Sequence, residues 1–353
     1  LPLERLADGG LHGLGRLVLH HVTRGAGAQG AFGVERLVVH GHHQHRELLV
    51  SGADVLDQVN FINETLQSLG YQVECRGITE NFFSEIREMA DGEFEFVFNL
   101  VESVGNKAEI LYFIPGLLNM YHIPYTGCPV EATFITASKV LARKIMKASG
   151  IPVAGGYRVS EASQLVPGKK YILKPVWEDG SLGITEESVF TFNGTPPEIL
   201  RGRNDQHWFI EEFIEGREFN VSVISGPDGP EMLPPAEMLF ENYPDDIPRI
   251  VSYKAKWVEE TFQYENSRRH FPENLSEKLM NNLRAAVNGC WHTFGLKGYA
   301  RVDMRVDANE NVYVLEVNAN PCISPDSGFI SAAVHAGYTH QEIIRHIIND
   351  LNA

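Results

Sequence analysis

Two acidic side chains and an amide near the C-terminus have the types and spacing to hold a hard divalent cation. The segments G-Y-A-R-V-D-M-R-V-D (298–307) and V-Y-V-L-E-V-N-A-N-P (312–321) read as two strands. Residues two apart on a strand share a face, so Glu316 and Asn318 point the same way, and a hairpin pairing brings Asp303 to them. Two carboxylates and one amide supply hard oxygen ligands, which suit Mg²⁺ bound together with phosphate oxygens. The apolar neighbours Val302, Met304, Leu315 and Val317 put these acids on one face of an otherwise buried ribbon. The alternative is the solvated polar face of an edge hairpin.

Two further segments carry chemistry. In Y-I-L-K-P-V-W-E-D-G-S-L-G-I (171–184), a lysine at a strand end, Lys174, meets a glycine-containing loop. Backbone N–H groups of such a loop wrap phosphate oxygens and the lysine adds a point charge; glycine turns between strands are also common without a ligand. The segment W-F-I-E-E-F-I-E-G-R-E-F (208–219) places acids among apolar residues. That suits an adenine slot with carboxylates for the exocyclic amine and the ribose, or an ordinary amphipathic strand and turn.

These residues need elements to position them. Val55, Val59, Ile62, Leu66 and Leu69 recur at helical spacing, with Gly70 as a stop signal. Strands are expected at Gln72–Cys75, at Phe94–Leu100, whose residues alternate, and at Ile123–Gly127, with a helix over Ala108–Leu118. Strand–helix–strand order implies a parallel sheet. Residues 131–149 read as one helix, ended at Gly150–Pro152, and 171–223 as mostly β. The polar segment 241–270 reads as loops. A helix over Glu277–Phe294, the strand pair bearing Asp303 and Glu316, a loop and a final helix over His340–Leu351 complete the chain.

Residues 1–45 differ from the rest. They hold seven of the fourteen histidines (His12, His20, His21, His40, His42, His43, His45) and nine glycines, and no lysine precedes Lys107. Without regular ligand spacing this stretch reads as a His/Gly-rich leader, disordered or foreign to the folded unit, rather than a metal site, although Arg36–His40 fits a strand.

The whole-chain numbers exclude several classes. At 353 residues with 43% hydrophobic composition, the chain can bury a large core in two or three lobes. A net charge of −16 argues against a nucleic-acid partner, which needs a basic face. Cys75, Cys128, Cys290 and Cys322 are scattered with no C-x-x-C spacing, so a reducing cytoplasm is expected rather than zinc or a disulfide framework. No apolar run spans a membrane, and the first residues, with Glu4 and Asp8, do not read as a signal peptide.

The three chemical segments, in this order, make the chain resemble the ATP-grasp superfamily, and within it the D-alanine–D-alanine ligases and their relatives, over roughly residues 90–350. The resemblance implies an α/β fold of the ATP-grasp type. It has three lobes, with ATP held between two α+β domains and a parallel-sheet N-terminal domain before them. The implied boundaries are 46–130 for the N-terminal substrate domain, 131–208 for the central lobe and 209–353 for the catalytic lobe. Lys139, in A-S-K-V-L-A-R-K, and Lys174 match the lysines that hold ATP phosphates, and Ser181 the small residue of the phosphate loop. Glu211 matches the hinge acid that meets the adenine amine, with backbone groups of Phe213 and Ile214 beside it, and Glu218 the ribose acid. Lys256, in S-Y-K-A-K-W, matches the lysine of a loop closing over the γ-phosphate. Arg301 matches the arginine steadying the transferring phosphate, Asp303, Glu316 and Asn318 the magnesium ligands, and Ser327 the serine that binds the carboxylate of the second amino acid.

The resemblance further implies a cytoplasmic ATP-dependent ligase, with D-alanine–D-alanine ligation in peptidoglycan precursor synthesis as the best single expectation. It would use ATP and two Mg²⁺ ions, with Mn²⁺ as a substitute, act on small amino-acid-like substrates, and pair as a homodimer. The alternatives are an ATP-grasp ligase with another substrate pair, and an ATP-binding protein without catalysis. Departures fall on substrate-recognition parts. Trp257 stands where the family has Tyr or Phe after the loop lysine, and L-V-E (Leu100–Glu102) stands for the family's L-H-G. The N-terminal glycine loop with its ammonium-binding glutamate has only a faint echo in His45–Glu47. His270, His292, His335 and His340 are expected at the surface or at helix caps, and the Cys322 thiol as a small filler.

Overall fold

The computed structural model describes residues 18–24, 53–92, 94–104, 107–178 and 180–352. The expected strand Arg36–His40 and the segment His45–Glu47 lie outside the described residues. Among those described, three antiparallel sheets carry the fold.

The first sheet is built from β1 (Val18–Arg24), β2 (Tyr71–Gly77) and β3 (Phe96–Asn99), in the order β2-β1-β3, with helices α1 (Ala53–Ser68), α2 (Phe82–Ala90) and α3 (Phe113–Met120). Seven residues of the stretch expected as a leader thus form its central strand. The parallel sheet expected here is not what the described strands make. The crossover through α2 does return β3 in the direction of β2, but β1 runs the opposite way between them and both its pairings are antiparallel. Among the described residues, parallel pairing is seen as a bridge between Val97 and Tyr125; of the strand expected at Ile123–Gly127 this bridge and an antiparallel one from Tyr125 to Asn352 are present. β3 is buried along its whole length: Phe96 and Phe98 pack with Ile62 and Leu66 of α1 and with Ile343, Ile344 and Ile347 near the C-terminus, while Val97 packs with Ile86, Ile114 and Leu118. Both faces are covered, so it is apolar throughout rather than alternating in exposure.

The expected helix 131–149 is two, α4 (Val130–Ala137) and α5 (Lys139–Ala148). Ser138 between them is extended, and its Oγ accepts a hydrogen bond from the Leu141 amide, an N-cap that restarts the helix. The Lys139 amide donates to the Val176 carbonyl at 3.0 Å, which fixes the start of α5 against the next sheet. That sheet contains β4 (Gly156–Arg158), β5 (Lys170–Pro175), β6 (Val189–Thr191) and β7 (Trp208–Glu212), in the order β4-β7-β5-β6.

The chain leaves this sheet at 213–216 and enters the largest one. Its strands are β8 (Arg217–Gly226), β9 (Gly229–Met232), β10 (Ala236–Phe240), β11 (Ser267–His270), β12 (Tyr299–Val306) and β13 (Val312–Asn318), in the order β11-β10-β8-β12-β13, with β9 on β8. The segment expected as loops holds β11 and two short helices, α6 (Tyr253–Trp257) and α7 (Phe262–Glu265). Helix α8 (Glu277–Phe294) covers one face of the sheet: Leu283, Val287 and Cys290 pack with Val221, Val302 and Met304, joined by Ala142 and Met146 of α5. By the period of two, Glu218, Asn220, Arg301, Asp303 and Arg305 fall on the other face. Helices α9 (Gly328–His335) and α10 (His340–Ile348) close the chain; α9 occupies what the sequence pattern presents as loop.

The passage between the two larger sheets depends on Gly216. Its φ is +139°, and a Cβ there would lie 2.0 Å from the Val306 carbonyl oxygen. Neither the conformation nor the space admits a side chain. Gly216→Ala is expected to cost about 2 kcal/mol or more, seen as a lower midpoint in thermal unfolding. A wild-type midpoint would contradict this close approach.

Candidate active site

The polar face of β8, β12 and β13 forms one wall of the site. β12 pairs Asp303 with Asn220 on one side and with Glu316 on the other. A register shift after Asp303 leaves Leu315 as the extra residue of a bulge, so it lines the cavity instead of the core. Arg301 grips Asp303 with Nε and Nη2, both at 2.7 Å, and Asn318 Nδ2 lies 3.3 Å from the same carboxylate. From α5, Lys139 Nζ reaches Glu316 at 3.1 Å and the Glu178 carbonyl at 2.5 Å. The three expected metal ligands are therefore together, their carboxylates held by cationic side chains. Among the described residues no group of three His, Cys, Asp or Glu side chains forms a ready metal cage. Two acids and one amide fit a cation that brings phosphate oxygens as its remaining ligands.

The opposite wall comes from β5, β7 and the glycine loop. Lys174 Nζ donates to Glu211 Oε2 at 2.6 Å in a buried pair. Glu211 Oε1 has no hydrogen-bond donor, although Arg143 Nε lies 3.3 Å away as an ion pair. At the hinge after β7, the Phe213 amide is committed to the Lys170 carbonyl, while the Ile214 amide lines the cavity with no acceptor among the described residues. Glu211 Oε1 and the Ile214 amide are thus two polar groups near the hinge that have no hydrogen-bond partner among the described residues.

The loop and the polar segment 250–257 close over the top together. Ser181, at φ +65°, donates Oγ–H to the Val251 carbonyl at 2.6 Å, and Trp257 Nε1 donates to the Gly180 carbonyl at 2.8 Å. Tyr253 N–H bonds Ile184 O at 3.0 Å, and Ser252 Oγ bonds Glu186 at 2.8 Å. Lys256 Nζ sits 4.9 Å from the Trp257 ring centre, with no carboxylate in ion-pair range among the described residues. Burial, then the nearby Arg301, push the Lys256 pKa down. An enclosed ammonium with no counter-ion fits an anionic group entering the cavity.

Electrostatics separate the two acids. Burial opposes ionisation of Glu316, but Lys139, Arg301 and Lys174 outweigh it and hold its pKa at about 2. Asp303 is raised by burial, with Arg301 opposing. Arg301 is itself raised, because Asp303 and Glu316 overcome the penalty of its burial. Glu218 is raised by burial against the pull of Arg305.

All the expected site residues except Asn318 line one cavity of about 510 Å³. Asn318 lines an adjoining cavity of about 240 Å³, which shares Gly180, Lys256, Arg301 and Cys322 with the first and includes Glu102. Ser327 caps α9: its Oγ accepts from the Ile330 amide at 3.3 Å, which leaves the O–H free to donate. His270, His292, His335 and His340 line neither cavity.

A family described as "D-ala D-ala ligase C-terminus" matches residues 168–349. The chain belongs to the D-alanine–D-alanine ligase family. The D-alanine–D-alanine ligase of Actinobacillus succinogenes is 27% identical over 319 residues, which covers 87% of this chain and 94% of that protein. The ligase of Carboxydothermus hydrogenoformans is 32% identical over 248 residues, covering 67% of this chain and 75% of its own. Among solved structures, the Bacillus anthracis D-alanine–D-alanine ligase superposes with a TM-score of 0.58 at 18% identity, over 84% of this chain and 92% of that one. The same enzyme complexed with ATP gives 0.57 at 20% identity, over 76% and 82% of the two chains. These two likenesses show a shared mixed α/β fold.

Within this D-alanine–D-alanine ligase family member, two cavity-lining arginines, Arg269 and Arg305, have no role assigned from the sequence. Arg269, on β11, donates Nη1–H to Ser331 Oγ at 2.7 Å and to the carbonyls of Asp326 and Ser327. Arg305 closes the hinge. The first sits in a segment that reads as loop. The second follows Asp303 by two in R-V-D-M-R, where period-two spacing alone signals it.

The indole bond also accounts for Trp257: its ring nitrogen ties α6 to the glycine loop. Trp257→Phe keeps the ring and removes the donor, a loss of about 1 kcal/mol. Limited proteolysis in segment 241–262 should become faster; unchanged cleavage would mean that this bond does not hold the loop pair closed.

Proposed function

We propose that this chain is an ATP-dependent D-alanine–D-alanine ligase that works through an acyl-phosphate. The observation that carries this reading is the convergence on one cavity of Lys139, Lys174, a Lys256 with no carboxylate in ion-pair range among the described residues, and the Arg301–Asp303–Glu316 cluster. A carboxylate is a poor electrophile; phosphorylation gives it a leaving group, and the amine of the second amino acid then attacks the carbonyl. Lys139 and Lys174 are suited to the phosphates, Lys256 to the terminal phosphoryl group, and Arg301 to the charge that builds during transfer. Asp303, Glu316 and Asn318 would hold Mg²⁺, which when bound neutralises phosphate charge and orients the group to be transferred. Ser327 has a hydroxyl proton to offer an acceptor carboxylate. The closed loop pair would exclude water from the acyl-phosphate. A three-lobe arrangement, a cytoplasmic location, a homodimer and a place in peptidoglycan precursor synthesis belong to the same reading.

A second reading keeps the chemistry and changes the acceptor. Arg269 has no carboxylate in ion-pair range among the described residues, and its Nη1 alone braces the loop beside Ser327. Its remaining guanidinium edge favours an acceptor with an additional carboxylate. ADP release with Mg²⁺ and ATP separates the two. Release with D-alanine alone, with a dipeptide product, supports the first; release only with D-aspartate or D-glutamate as acceptor supports the second. Silence with every amino acid would sink both.

The metal ligands give a graded expectation. Glu316→Gln removes a strongly ionised carboxylate and should lower kcat by about 10²-fold or more, the scale of a lost preorganised electrostatic contact. Asn318→Ala removes a neutral ligand and should cost clearly less. Equal losses in steady-state ADP release would argue that Glu316 does not hold the metal.

A further inference from the structure

Arg305 is 3% exposed, yet it lines the cavity, and the sequence reading gives it no role. It lies directly opposite Glu218 in the β8–β12 register. Its Nη1 donates to Glu218 Oε2 at 3.0 Å and to the Arg249 carbonyl at 2.7 Å. Nε donates to the Ile214 carbonyl at 2.9 Å and Nη2 to the Gly216 carbonyl at 3.3 Å. The guanidinium carbon lies 4.9 Å from the centre of the Phe213 ring. One side chain therefore holds Phe213, Ile214, Gly216 and Glu218, together with the backbone just before the closing loop.

Arg301, Asp303 and Arg305 share one face of β12 at steps of two. Arg301 serves the phosphoryl end and Asp303 the metal. Arg305 lies about 13 Å beyond Arg301 along the strand, at the hinge, which is the nucleoside end. The guanidinium ties the Ile214 carbonyl to β12, which fixes the backbone of a hinge residue that lines the cavity. By holding Glu218 it also fixes the carboxylate expected to meet the ribose.

We propose that Arg305 is a positioning residue for the nucleoside of ATP, setting both affinity for the nucleoside half and the preference for adenine over guanine. This rests on the ATP-dependent reading of the site. It requires that Arg305 act through the hinge backbone and Glu218, and not on the phosphates. A lysine at this position keeps a positive charge for Glu218 but cannot reach the Ile214, Gly216 and Arg249 carbonyls in one fork.

The test is titration calorimetry of the full chain with Mg²⁺–ATP, Mg²⁺–GTP and Mg²⁺–tripolyphosphate. Arg305→Met should weaken ATP by about tenfold or more, narrow the ATP/GTP ratio and leave tripolyphosphate binding within about twofold. Arg305→Lys should fall between, and it decides the matter if Arg305→Met does not fold. A merely structural role would weaken ATP and tripolyphosphate together, and that result overturns the proposal. So would a folded variant with wild-type ATP affinity and ATP/GTP ratio. If wild-type protein binds neither ATP nor GTP, the ATP-dependent reading fails and the role of Arg305 fails with it; if wild type binds ATP and the variants match it, only the role of Arg305 fails.

Discussion

The constraint on which the structure depends is the register of β12 between β8 and β13. Along β12 the side chains alternate between two incompatible surroundings. Val302, Met304 and Val306 enter the core beneath α8, while Arg301, Asp303 and Arg305 enter the cavity. A slip by one residue would drive three charges into that core and three apolar side chains into the site, so the hydrophobic pattern itself fixes the functional geometry. The neighbouring strands obey the same rule: Phe219 and Val221 are core, while Glu218 and Asn220 face the cavity. The one irregularity, the bulge at Leu315, keeps Glu316 opposite Asp303 while letting the end of β13 stay in the ladder.

Placing so many charges against a packed core is tolerable only if they are paired. Buried ions cost several kcal/mol each when isolated. The cavity wall meets this with four pairs from different parts of the chain: Arg301–Asp303, Lys139–Glu316, Lys174–Glu211 and Arg305–Glu218. Such pairs add little net stability, but they fix side-chain positions before any ligand arrives. Lys256 and Arg269 stand outside this arrangement, with no ion-pair partner among the described residues, although both line the cavity. The wall is thus nearly neutral where its charges pair and cationic where Lys256 and Arg269 stand alone.

How much of this is legible in the sequence depends on what each signal rests on. The strands around Asp303 and Glu316 and the helix Glu277–Phe294 are readable because local periodicity specifies them, and the described structure places both where the pattern does. The break at Ser138 is hidden because residues 131–149 carry no glycine or proline; a single side-chain cap divides them. The N-terminal sheet departs from expectation because strand–helix–strand order fixes the relative direction of β2 and β3 but not what lies between them, and β1 comes from a stretch whose composition argues against any fold. Arg269 and Arg305 are hard to read for a related reason: their partners include backbone carbonyls at Asp326 and Ser327, and at Ile214, Gly216 and Arg249, far away in the chain.

The same distinction explains why the family is secure and the acceptor is not. The match over 168–349 spans the glycine loop and the strands that carry Lys174, Glu211, Asp303 and Glu316. The cavity wall formed by α6, β11 and the cap of α9 is held largely by side-chain hydrogen bonds: the indole N–H to Gly180, Arg269 Nη1 to Ser331, and the Ser327 cap. Substitution there alters what fits without disturbing the register of β12. Under the proposed ligase reading, Trp257 and Arg269 shape this end through side-chain hydrogen bonds, which can change without moving the strands that carry Asp303 and Glu316.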